Sequence, residues 1–278
     1  MNHINIFLEH IYEACAQRGI GLEQMLNEAH EMGYIGLECD LWRLSDKSIK
    51  EVFDRCGMRV ASVYSRFDFA HDSAEASIEK ITFCLETAAY FGADKVLAIP
   101  GFVNDGEDRG DVCGRICEGL SVMCKRARDL GITVTLEDFD DISVPYSTAA
   151  GLEYFMRNVD GLKYTFDTGN FAYSLENAEK AYDILRTWIV HAHLKDRSRD
   201  SARASHDGGN AKADLGGEMM YPCETGGGYI GVEALVKRML RDGYTGDFSE
   251  EHFGAVDQTA YMKLSIDNIK RWIKEAQL

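Results

Sequence analysis

Residues 130–138, Leu-Gly-Ile-Thr-Val-Thr-Leu-Glu-Asp, carry the reading of the fold. Gly131 stands where a helix stops, because a glycine just past the last turn takes the left-handed conformation that satisfies the end carbonyls. The β-branched and apolar residues from Ile132 to Leu136 then read as a short buried strand. That strand ends on a carboxylate, Glu137. Helix stop, apolar strand and polar strand end make one unit.

The unit recurs. Gly33 precedes Tyr34-Ile35, Gly57 precedes Met58-Arg59-Val60, Gly92 precedes the strand containing Val96, and Gly243 precedes Tyr244. Segments before or between these stops carry apolar residues at helical spacing, as in Leu22, Met25, Leu26, Ala29 and Met32, or Ile49, Val52, Phe53 and Cys56. After Gly231 the same spacing joins Val232, Leu235, Val236, Met239 and Leu240. Strands are predicted at 5–8, 35–38, 60–64, 95–99, 133–137, 163–166, 189–194 and 247–251. A last helix is predicted over 261–273, with Leu264, Ile269, Trp272 and Ile273 facing inward. Eight alternating βα units predict a parallel sheet closed into a single (β/α)8 TIM barrel domain over residues 1–278. An open doubly wound sheet is the alternative.

The rhythm breaks once, at 197–228, between the seventh strand and its helix. Seven glycines (208, 209, 216, 217, 226, 227 and 228) fall in this stretch, which shows little periodicity. A long loop at the C-terminal end of a barrel strand, where such folds keep their sites, predicts a lid over a bound substrate. The competing reading is a disordered surface insertion.

Composition excludes several classes. The formal net charge is −16, and Lys195, Arg197, Arg199 and Arg203 are interrupted by Asp196 and Asp200, so no basic groove for nucleic acid is predicted. No run approaches the apolar length of a membrane span. The start, MNHINIFLEHIYEACAQRG, lacks the basic and apolar regions of an export signal. The eight cysteines include no C-x-x-C pair. Reduced thiols and a cytoplasmic protein are the expectation.

Four of the strand ends carry metal-ligand side chains: Glu137 in ITVTLED, Asp167 in LKYTFDTGN, His193 in IVHAHLKD and Glu251 in GDFSEEHF. A carboxylate at a strand end often only caps the next helix or pairs with a lysine. Four on consecutive strands point at one mouth and predict a metal site. Three carboxylates and one imidazole suit a single divalent ion, Mn²⁺ foremost, with Mg²⁺, Co²⁺ or Zn²⁺ as alternatives. The absence of thiols from the set argues against structural zinc.

These motifs resemble the sugar phosphate isomerase/epimerase family of xylose-isomerase-like TIM barrels. The likeness rests on residues 131–137, Phe166-Asp167-Thr168-Gly169-Asn170, His191-Ala192-His193-Leu194-Lys195-Asp196, and 244–251, with weaker likeness at Tyr34-Ile35-Gly36-Leu37-Glu38 and at 227–230. It implies that Glu137, Asp167, His193 and Glu251 bind the metal and that Glu137 and Glu251 also act as acid and base. His193 lies nearer the mouth than His191, two residues before it on the same strand face, so His191 is expected to be a core histidine or a donor behind the ligands. Glu250 faces away from Glu251. Arg199 resembles the substrate-binding arginine of the ketose 3-epimerase branch, or is a solvated charge. Lys195 and Asp196 are expected to orient substrate or the metal's surroundings, and Asn170, Glu38, His71, Trp42 and Phe102 to line the pocket. His206 and His252 are weaker candidates. Asn170 stands where family members often have His, and Ser143 where the 3-epimerase branch often has Glu. Both departures count against a free-ketohexose 3-epimerase and leave the metal set intact.

The chemistry implied is removal of a proton alpha to a sugar carbonyl, with the resulting enediolate charge stabilised by a divalent ion and two carboxylates moving the proton. Return to the same carbon gives epimerisation; return to its neighbour gives isomerisation. The substrate is a small sugar or sugar phosphate, with Arg197, Arg199 and residues 226–228 as candidate phosphate contacts. Alternatives are a dehydratase or lyase of a cyclic polyol or keto acid, and a non-catalytic sugar-binding barrel. A multi-zinc endonuclease would need more histidines and a basic face. A homo-oligomer is compatible with an exposed barrel face.

Overall fold

The computed structural model describes residues 2–203 and 211–276. His206 lies outside the described residues. Eight parallel strands form the barrel: β1 (Ile4–Phe7), β2 (Gly36–Asp40), β3 (Arg59–Arg66), β4 (Lys95–Ile99), β5 (Thr133–Glu137), β6 (Lys163–Asp167), β7 (Ile189–Ser198) and β10 (Asp247–Glu251). Each pairs with its successor, and β10 pairs with both β7 and β1, which closes the ring. Helices α1 (Leu8–Arg18) and α2 (Leu22–Met32) follow β1, and α3 (Ile49–Arg55) follows β2. Then α4 (Ala74–Phe91), α5 (Arg109–Asp129), α6 (Ala149–Asn158), α7 (Ala178–Leu185), α8 (Val232–Arg241) and α9 (Gln258–Ala276) complete the outer layer.

The glycines expected to stop helices do so. Gly131 has φ 68° and Gly33 φ 110°, and the Gly33 N–H donates to Ala29 O at 3.1 Å. In the last helix Ile269 and Trp272 are buried and Ile273 packs against the core as expected, and Leu264 alone departs. The helix's buried stripe is Tyr261, Met262, Ser265, Ile266, Ile269 and Trp272, whereas Leu264 is 51% exposed. Leu264 is apolar but sits off the 3.6-residue stripe set by Met262, Ile266 and Ile269.

Strand alternation sorts the two sides of the barrel wall. On β5 and β6, Val134, Leu136, Tyr164 and Phe166 face the helices, while Thr135, Glu137, Thr165 and Asp167 face the axis. The axial column is polar: Thr165 Oγ1 and Thr135 Oγ1 are 2.8 Å apart, and His191 Nε2 lies 3.0 Å from Ser249 Oγ. Two register shifts set the phase of the site. One at Leu37/Glu38 brings Glu38 opposite Ser62, and one at Tyr164/Thr165 brings Thr165 opposite His191.

Within 197–228, the described residues, 197–203 and 211–228, are more regular than their composition suggested. The seventh strand runs past Leu194 to Ser198, and a hairpin of β8 (Lys212–Ala213) and β9 (Met219–Cys223) pairs antiparallel with its end. Asp196 is the organising residue: its carboxylate accepts from the backbone N–H of Arg197, Gly226, Gly228 and Ile230 at 2.8–3.2 Å. Gly228 permits this approach, since a Cβ there would stand 2.2 Å from Asp196 Oδ1 and 2.3 Å from Arg197 O.

Candidate metal and acid–base site

Glu137, Asp167, His193 and Glu251 are all buried at the C-terminal mouth, and one ligand atom from each lies within 4.8 Å of the others. They come from β5, β6, β7 and β10, each by the inward phase of its strand. His193 Nδ1 lies 2.5 Å from Glu137 Oε1 and 3.5 Å from Glu251 Oε2. Asp167 Oδ1 accepts from the N–H groups of Gly169 and Asn170 at 2.7 and 2.8 Å, while its Oδ2 is buried with no hydrogen-bond partner. An unpartnered buried carboxylate oxygen among two glutamates and an imidazole fits a divalent cation, and no thiol enters the set.

Behind this cluster stands a second buried group, Glu38 with His191 and His193. His193 Nε2 is 3.1 Å from both Glu38 oxygens, and His191 Nε2 also bonds Glu38. Glu38 therefore does not line the pocket as expected; it is buried beneath His193 and turns Nδ1 toward Glu137. A carboxylate on the far nitrogen of a ligating histidine fixes its orientation and tautomer. His191 is buried on the same strand face as His193, with Nε2 on Glu38 and Ser249 and Nδ1 without a hydrogen-bond partner.

Lys195 bridges the other side. Its Nζ pairs with Glu251, donates to Asn170 Oδ1 at 2.7 Å and lies 3.7 Å from Asp167 Oδ2. Asn170 in turn donates to Asp138 O at 2.8 Å. Asp138, which sequence reasoning passed over, is buried and accepts from Tyr164 Oη at 2.5 Å and from Asp167 N at 3.0 Å. Its adjacency to Glu137 in LED was the available signal, masked because neighbours on a strand face opposite ways.

Electrostatics divide the carboxylates. Burial raises Asp167 to about 8, with Glu251 and Glu137 adding to the rise against the pull of Lys195. Burial also raises Glu137, against His193. Burial alone would raise Glu251, but Lys195 and His193 hold it well below the usual range. Burial opposes the His193 cation, yet Glu38 and Glu137 raise its pKa well above the ordinary value.

The other expected residues lie elsewhere. Arg199 donates to Asp214 Oδ2 at 2.8 Å and to Glu218 O at 3.0 Å, so it braces the hairpin rather than the cluster. Asp196 serves the backbone of 226–230, which fills with its own carboxylate the N–H groups that a phosphate would have used. His71 pairs with Asp68 at 2.6 Å and Glu107 at 3.0 Å near the surface. Trp42 is 57% exposed. Phe102 packs edge-on against Phe139 at 6.0 Å. Glu250 faces the helices and bonds Tyr34 Oη. His252 is buried and stacks on His10 at 4.6 Å. Over the cluster lies a cavity of about 160 Å³, walled by Phe7, Tyr64, Phe139 and Phe253 and floored by Glu137 and Glu251.

A family model described as xylose isomerase-like TIM barrel matches residues 26–276. The chain belongs to that family. A comparison with curated proteins finds no match. Solved structures share the barrel at low identity. An L-ribulose 3-epimerase is 18% identical, with a TM-score of 0.73 over 100% of this chain and 96% of that one. A xylose isomerase-like TIM barrel protein from Mycobacterium smegmatis in complex with magnesium is 18% identical, with a TM-score of 0.71 over 100% and 98%. A probable 3-DHS dehydratase involved in petrobactin synthesis from Bacillus anthracis is 15% identical, with a TM-score of 0.73 over 97% and 99%. These likenesses establish the shared barrel; chemistry must be argued from the site.

Proposed function

We propose that this xylose isomerase-like barrel is a divalent-metal-dependent isomerase or epimerase of a small sugar or sugar derivative, with Glu137 and Glu251 as its acid–base pair. The observation that carries the reading is the convergence of four buried side chains, each with a ligand atom within 4.8 Å of the others, beside an Asp167 Oδ2 that accepts no hydrogen bond. Glu137, Asp167, His193 and Glu251 would hold the ion, with Mn²⁺ the first choice and Mg²⁺, Co²⁺ or Zn²⁺ the alternatives. When bound, a divalent ion supplies charge stabilisation to the oxygens of an enediolate.

The side chains supply the rest. Lys195 pairs with Glu251 and keeps it ionised, the form in which a carboxylate can take a proton alpha to a carbonyl. Glu137, raised by burial, is suited to hold a proton and return it. Phe7, Phe139 and Phe253 wall the site with apolar surface, which limits water at the carbanionic carbon. Dehydration of a polyol or keto acid is the second reading. It is favoured by Lys195, a buried ammonium beside Asn170 that offers a second proton-bearing group to a departing hydroxyl.

A panel of free and phosphorylated ketoses, aldoses and inososes, incubated in heavy water with Mn²⁺, tests both. The proposal expects deuterium at a carbon beside the carbonyl, with Glu137→Gln and Glu251→Gln each slowing it by about 10²–10⁴-fold. Loss of a water mass without an isomeric product would select dehydration. Exchange that survives both substitutions would contradict the acid–base assignment.

A further inference from the structure

Arg197 stands one inward-facing position beyond Lys195 on β7, about 7 Å further along the strand. It is 3% exposed, and its Nε and Nη1 are buried without a hydrogen-bond partner. The basic residues around it are all satisfied. Lys195 has Glu251, Arg199 has Asp214, Arg203 has Glu224 and Lys212 has Asp140. Among the described residues Arg197 alone of this group has no carboxylate paired with it. The Tyr173 hydroxyl is likewise buried and unpartnered, and the Arg197 guanidinium carbon lies 5.7 Å from the Tyr173 ring centroid.

Both residues are fixed before any ligand arrives. Arg197 N donates to Asp196 Oδ1 at 2.8 Å, Arg197 O accepts from Tyr229 N at 3.0 Å, and Arg197 pairs across to Pro222 of β9. Tyr173 N donates to Asn170 O at 3.1 Å, and Tyr173 O accepts from Leu215 N at 3.0 Å. The hairpin thus holds the pair rigidly beside the mouth. Burial of an ionised guanidinium without bonded partners is costly, and folded chains avoid it unless a partner completes the site. A planar fork of donors matches a carboxylate or phosphate, and a phenol hydroxyl adds one more donor.

We infer that Arg197 and Tyr173 form an oxyanion subsite, so that the substrate carries a carboxylate or phosphate a few carbons from the atoms handled at the Glu137 cluster. This rests on the reading of that cluster as the reacting centre. Glycerate, glycerol 3-phosphate and glycerol present the two anions and a neutral control on the same three-carbon frame. Titration calorimetry of each into the full chain, with Mn²⁺ and again with chelator, reads the subsite directly.

At least one anion should bind about tenfold or more tightly than glycerol, and the better of the two identifies the group. Arg197→Met should remove that preference, Arg197→Lys should restore only part of it, and glycerol binding should not change. The ligand-free melting temperature of Arg197→Met should stay level or rise, because no hydrogen-bonded or ion-paired partner is lost and the methionine keeps apolar contact with the Tyr173 ring. Equal binding of all three probes, or an anion preference that survives Arg197→Met, would overturn the subsite. So would a ligand-free Arg197→Met protein several degrees less stable than the parent, which would mark an internal structural role. Arg197-dependent anion binding in a protein that takes up no Mn²⁺ would uphold the subsite and count against the metal reading alone.

Discussion

His193 faces three carboxylates through two nitrogens, Glu137 and Glu251 at Nδ1 and Glu38 at Nε2. Nδ1 lies 2.5 Å from Glu137 and Nε2 lies 3.1 Å from Glu38, so the ring cannot rotate without breaking one contact. Removing the Glu38 charge should therefore loosen the ion without touching a ligand. Glu38→Gln is expected to weaken Mn²⁺ binding by about 10–100-fold in a calorimetric titration, and an affinity within twofold of the parent would contradict the assignment. Protons follow the ion in the opposite direction. Glu38 and Glu137 raise His193 well above its ordinary value and burial pushes Asp167 up to about 8, so in the ion-free protein both shifts favour the proton-bound forms near neutrality. Each Mn²⁺ bound at pH 7 should release about one to two protons, and affinity should rise between pH 6 and 8. The same two groups bind protons more tightly folded than unfolded. Their stabilisation is present below the unfolded pKa values and is lost as pH rises through the folded ones. Chelated protein should melt at lower temperature at pH 8 than at pH 6, and a flat profile would count against these shifts.

The strands were legible in the sequence where they are apolar and bounded by glycine. Those at 95–99 and 133–137 stand as expected, because a helix-stopping glycine precedes a run of apolar and β-branched residues, and 247–251 stands as expected after Gly243 although Phe248 is its one apolar residue. The end of β7 was not legible. Lys195, Asp196, Arg197 and Ser198 carry no apolar signal, and the strand persists there because β9 pairs with it from about 25 residues away. Within the stretch expected to form a lid, the described residues hold a hairpin anchored through one carboxylate, Asp196. Asp196→Ala would strip the acceptor from four backbone N–H groups and should cost about 3 kcal/mol in urea unfolding. A change under 0.5 kcal/mol, about the size of a surface substitution, would show that the hairpin is held otherwise.

Across the whole molecule, the four candidate ligands could be named from strand ends together with the family resemblance, since barrel closure brings strand ends to one mouth. What sits beneath them could not. Glu38 and His193 are 155 residues apart, and only closure of β10 on β1 and β7, together with the two register shifts, makes them neighbours. Among the described residues no helix is long and apolar enough to cross a membrane, and the net charge of −16 opposes phosphate backbones. A short duplex should therefore show no saturable binding at physiological salt. The central claim is the metal centre. It is tested most directly by an anomalous difference map, recorded at the manganese edge from crystals grown with Mn²⁺. A single strong peak enclosed by Glu137, Asp167, His193 and Glu251, absent after chelation, is the predicted result. A peak elsewhere, or none there while the side chains keep their places, would contradict the account.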